Sequence, residues 1–119
     1  MRMSADTFEA AVEETLASIP ADILAYLENV VVTVEDEPSP EDLAELGMDE
    51  DELLFGLYQG MPLPEREVTS YGGLPDRIVI YRLPLLAACT SRRQLRAEIR
   101  DTVIHEVGHF FGFEEHQLP

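Results

Sequence analysis

Phe8, Val12, Leu16 and Ile19 recur at helical spacing and follow Ser4, a residue suited to cap a helix, so residues 5 to 18 are predicted to form an amphipathic helix. Pro20 ends it, and Ala21 to Leu27, with Ile23, Leu24 and Leu27 apolar, predicts a second, short helix. The pattern then changes period. Asn29 to Val34 is dense in β-branched residues, which suit a pleated, half-buried surface, and is the first predicted strand. Glu35 to Pro40 cannot continue it, because its prolines remove ladder donors and its adjacent acids repel one another. Pro40 to Glu45 supplies a helical turn ended by Gly47, and Met48 to Glu52 is a solvated acidic bend without the ligand alternation or central glycine of a calcium loop.

Leu53 to Tyr58 and Arg77 to Leu83 are the remaining predicted strands, separated by a connection punctuated by Gly60, Pro62, Pro64, Gly72, Gly73 and Pro75. Pro84 follows the second of these closely, which a central strand tolerates poorly. The pattern therefore places Arg77 to Leu83 at or near a sheet edge, where an extended peptide can add as a further strand. Leu85 to Cys89 reads as a short apolar helix or turn. The last helix starts at Ser91, with Gln94 in the capping-box position, and runs to about Phe111, just before Gly112. With no internal repeat and no break in pattern, residues 1–119 read as a single α+β domain in which this helix packs on the strands.

Charge narrows the range of functions. Residues 1 to 65 carry 17 acids and one base, while residues 66 to 119 carry seven of each, so the whole net charge of −16 belongs to the first half. Such a field repels phosphate backbones, and nucleic acid is not an expected partner. A single Cys89 cannot form a disulfide within the chain, no segment approaches the apolar length of a membrane span, and the first residues turn acidic where a signal peptide needs an apolar run. A cytoplasmic protein with no membrane partner is the expectation.

His105, Glu106, Val107, Gly108 and His109 spell HExxH inside the last helix. At roughly 100° per residue, positions four apart lie about 40° from each other, so both imidazoles leave one face, one turn apart, and can grip one metal ion. Leu95, Ile99, Val103, Ile104, Val107, Phe110 and Phe111 fall on the opposite side of the same helix. Glu106 projects beside the pair, where it can take a proton from a metal-activated water instead of binding the ion. The implied cofactor is zinc, which takes imidazole nitrogen and carboxylate oxygen.

A third ligand is expected among the ten residues that follow His109, since they leave no room for a separate helix to supply one. Gly112 can take a left-handed conformation that turns the chain back toward the ion. In the metzincin pattern HExxHxxGxxH the third ligand stands three residues past that glycine, the place Glu115 takes here. Glu114 and His116 flank it, and His116 is the alternative third ligand. Asp101, one turn before His105, is placed to orient the free ring nitrogen of that histidine.

These segments resemble those of the short bacterial zincin-like metallopeptidases, minimal zincins with a matrix-metalloproteinase-like fold. The likeness rests on HEVGHFFG (105–112), LYQGMPL (57–63), LPDRIVIYRLPL (74–85) and NVVVTVEDEPS (29–39). It implies a zincin core with a small mixed sheet beside the active-site helix, His105 and His109 as zinc ligands, Glu106 as general base, and hydrolysis of a peptide or protein substrate of unspecified identity. The chain departs from true metzincins in having all four methionines before the motif, so no downstream Met-turn underlies the metal. Tyr58, Tyr71, Tyr81, Arg66 and Arg77 are the candidates for stabilising charge on the reacting carbonyl oxygen. The competing expectation is a non-catalytic, metal-stabilised module whose acidic half binds a protein, as a closed four-ligand site has no position for water.

Overall fold

The computed structural model describes residues 1–49, 52–60 and 76–112, without the side chain of Phe110. Helix α1 (Ala5–Ala17) opens at Ser4, whose hydroxyl oxygen accepts from the Thr7 N–H at 3.2 Å. α2 (Ala21–Leu24) follows Pro20 and tightens into a 3-10 turn over Ala25–Leu27. Strand β1 (Val30–Glu35) leads to α3 (Pro40–Glu45), which has Ser39 as its cap and proline at its first position. Gly47, at φ +71°, ends that turn in the left-handed region.

β2 (Gly56–Gln59) and β3 (Asp76–Tyr81) complete the sheet, followed by α4 (Arg82–Ala88) and α5 (Arg92–Phe111). The Ser91 hydroxyl accepts from the Gln94 N–H at 3.1 Å to start α5. Gln94 Oε1 reaches back to the Thr90 N–H, one residue before the expected capping-box partner.

The sheet is mixed, with strand order β1-β3-β2. β1 runs parallel to β3 with Val30 opposite Asp76 and Glu35 opposite Tyr81, and β2 runs antiparallel with Gly56 opposite Ile80 and Gln59 opposite Arg77. This corrects the edge position expected for the strand that starts near Arg77: β3 is the central strand. The expectation failed because Pro84 lies outside the strand, in the first turn of α4, where a helix needs no N–H from it. Burial agrees with the central position, since Ile78, Val79 and Ile80 are all fully enclosed and only Arg77 of β3 is exposed. β2, expected over Leu53 to Tyr58, starts at Gly56.

Phe8 and Val12 of α1, Ile23 of α2, Ile78 and Ile80 of β3, Leu85 and Leu86 of α4, Cys89, and Leu95, Ile99, Val103, Ile104 and Val107 of α5 form one apolar cluster. Removing any of its large side chains costs about 2–5 kcal/mol. Arg82 ties three segments together at the rim. Its Nε donates to Asp36 Oδ1 and one terminal nitrogen donates to the Met3 carbonyl, both at 2.9 Å. The architecture is thus α+β, with one small mixed sheet packed against α5 and the N-terminal helices. Among the described residues no helix is long and apolar enough to cross a membrane.

Candidate metal centre

α5 divides its faces as its apolar period requires. Leu95, Ile99, Val103 and Val107 are fully enclosed, whereas His105 and His109 are exposed on the other side. The two imidazole rings lie 6.4 Å apart, centre to centre, with planes 29° from parallel. They stand side by side one turn apart, and neither is committed to the core. Gly112 ends the helix at φ +75°, and no atom of the described residues would crowd a Cβ there, so the left-handed backbone conformation is what favours glycine. The helix therefore ends at the glycine that the sequence singled out. Glu114, Glu115 and His116 lie outside the described residues.

Glu106 is held by a contact that the sequence did not reveal. Its Oε1 accepts from the backbone N–H of Tyr58 at 3.0 Å, across 48 positions of sequence. The strand register explains why that N–H points toward α5 and away from β3. In an antiparallel pair, residues alternate between bonded and non-bonded partners. Tyr81 donates to the Phe55 carbonyl at 2.9 Å, so three steps of alternation along the register leave Tyr58 and Ile78 as a non-bonded pair and turn the Tyr58 N–H outward from β3. Among the described strands β2 lies at the edge, and the carboxylate of Glu106 takes the outward donor.

Gly56 makes this approach possible. A Cβ there would lie 2.6 Å from Thr102 Cγ2 and 3.0 Å from the Val79 carbonyl oxygen. The missing side chain lets α5 lie against the start of β2, two residues before Tyr58. Two influences then oppose each other at Glu106. Burial raises its carboxyl above the usual carboxylate range, while the Tyr58 N–H, then His109 and His105, pull it back down. A carboxylate with one oxygen anchored and its proton affinity raised is suited to accept a proton.

The other sequence candidates are placed variously. Asp101 is exposed, with its carboxylate 3.8 Å from the Arg100 guanidinium. The Tyr58 hydroxyl donates to Asp76 Oδ2 at 2.9 Å. Arg77 donates to Gln59 Oε1 and lies 3.7 Å from a carboxylate oxygen of Glu35. Tyr81 is buried, with its hydroxyl pushed up to about 12 by that burial first and by Asp42 and Glu35 next. Arg66 and Tyr71 lie outside the described residues. An open groove runs along this side of α5, lined by Phe55, Gly56, Glu98, Asp101, Thr102 and the His105–Glu106 pair.

The donor chemistry fits zinc: two accessible imidazoles one turn apart, with a carboxylate beside them. Among the described residues no third His, Cys, Asp or Glu completes a set of three. A model of the zincin-like metallopeptidases matches residues 27–119. No curated protein matches the chain. Among solved structures, a conserved hypothetical protein from Thermus thermophilus is similar in fold, with a TM-score of 0.60 over 89% of this chain and 92% of the other, at 24% sequence identity.

Proposed function

The chain belongs to the zincin-like metallopeptidase family, and from that premise we propose that it is a zinc-dependent peptidase with Glu106 as its general base. His105 and His109 would hold the ion, with Glu115 or His116 completing the ligand set. When bound, zinc supplies a Lewis acid that makes water a nucleophile near neutral pH. Glu106 accepts the proton of the attacking water and returns it to the departing amide nitrogen, which turns the amine into a viable leaving group. The Tyr58 N–H fixes one carboxylate oxygen through both transfers, leaving the other for the proton. The observation that carries the reading is this anchored carboxylate beside two solvent-facing imidazoles on one turn of helix.

Glu106→Gln tests it, because the amide keeps an acceptor for Tyr58 and removes the base. With metal content measured alongside cleavage of a quenched-fluorescence peptide library, the variant is expected to retain zinc at the parent level. Its hydrolysis is expected to fall by about 10²–10⁴-fold. A parent protein that purifies and reconstitutes without zinc, or a variant that cleaves as well as the parent, defeats the proposal.

A further inference from the structure

Away from α5, an apolar groove lies between the loop after β1, α3, the segment before β2, and α4. Leu43 forms its floor at 6% exposure, while Leu53 and Leu83 stand on its walls with 50% and 42% of their surface in solvent. Pro38, Pro84 and Ala87 continue the apolar lining, and among the described residues the charged groups in it are Glu37 and Glu52. Half-exposed leucines lining one groove cost free energy in water unless something covers them.

Charge selects the occupant. Residues 35 to 52 contain ten acids and no base. Asp36 is matched by Arg82 at 2.9 Å and Glu35 by Arg77 at 3.7 Å, whereas Glu37 and Glu52 line the groove beside its leucines. A two-fold contact between copies of this chain would set acid against acid around the patch, which opposes a symmetric dimer through it. An anionic lipid surface is repelled for the same reason. A protein segment with an apolar stripe between basic side chains satisfies both the leucines and the rim.

We propose that this groove is a docking site for a basic, amphipathic segment of a partner protein, separate from the histidine face of α5. The two glutamates steer and orient the segment, and Leu53, Leu83 and Leu43 supply most of the contact energy. No part of this rests on the peptidase reading.

The probe is a synthetic helical peptide with leucines at helical spacing flanked by lysines and arginines. A control has the same composition scrambled to remove the stripe. Titrated into the isotopically labelled full chain, the striped peptide is expected to shift the methyl signals of Leu43, Leu53, Leu83 and Ala87. Its affinity should fall about tenfold or more in Leu53→Gln/Leu83→Gln and severalfold in Glu37→Gln/Glu52→Gln. These are exposed positions, and an unchanged circular dichroism spectrum certifies the fold of each variant. Equal binding of the scrambled peptide, shifts confined to another face, or no saturable binding overturns the proposal. So does concentration-dependent dimerisation through these methyls in the absence of peptide.

Discussion

Tyr81 shows how much a single buried hydroxyl constrains this molecule. It is 1% exposed at the end of the central strand, and burial, reinforced by the carboxylates of Asp42 and Glu35, pushes its hydroxyl from 10.0 up to about 12, against an opposing pull from Arg77. The unfolded chain ionises this phenol near its ordinary value, while the folded chain holds the proton longer. The stabilisation is therefore complete below pH 10 and is lost as pH rises toward about 12. Tyr81→Phe removes this one-proton dependence and keeps most of the packing. Urea midpoints measured from pH 7 upward should fall more steeply above pH 10 in the parent than in the variant. Parallel curves would show that the hydroxyl ionises freely in the folded state. Cys89 obeys the same physics with a chemical consequence: burial raises its thiol, and a buried neutral thiol is a poor nucleophile.

At the scale of elements, the contact that organises the site is the approach of β2 to α5, and Gly56 controls it. Gly56→Ala puts a methyl 2.6 Å from Thr102 Cγ2 and 3.0 Å from the Val79 carbonyl, so the helix and strand must part. Overpacking of this kind costs about 1–3 kcal/mol, and it lengthens the bond between the Tyr58 N–H and Glu106. Thr102→Ser removes the offending methyl yet retains the hydroxyl that donates to the Glu98 carbonyl. Adding it to Gly56→Ala should restore part of the lost stability in a thermal melt, and a double variant no better than the single one would refute this account. None of this was legible in the sequence, where Gly56 is one glycine inside a predicted strand and Tyr58 stands 48 positions from Glu106. Local signals were legible: Ser4 and Ser91 start helices as their chemistry predicts, and the period of Leu95, Ile99 and Val103 turned His105 and His109 outward. Strand order was misread because a proline soon after a strand does not reveal whether the strand continues to it or a helix has already begun.

For the whole molecule, the proposed zinc site links ion binding to stability, and the exposure of the histidines makes the linkage measurable. A ligand that binds only the folded chain stabilises it by about 2.7 kcal/mol at a hundredfold excess over its Kd, on the order of 10 °C in the melting temperature of a small domain. Because His105 and His109 face solvent, replacing either with alanine should change the metal-free stability by no more than ~0.5 kcal/mol. The variants therefore isolate the contribution of the ion. Nonspecific attraction is a real competitor, since a chain with a net charge of −16 collects cations on its acidic first half. That attraction is diffuse and survives loss of one imidazole, whereas a site built on the α5 pair does not. Melting curves with zinc and with chelator should thus differ by roughly 10 °C in the parent and in Glu106→Gln, and coincide in His105→Ala and His109→Ala. A zinc shift of equal size in the histidine variants would move the metal away from α5, and with it the reason for Glu106 to be anchored where it is.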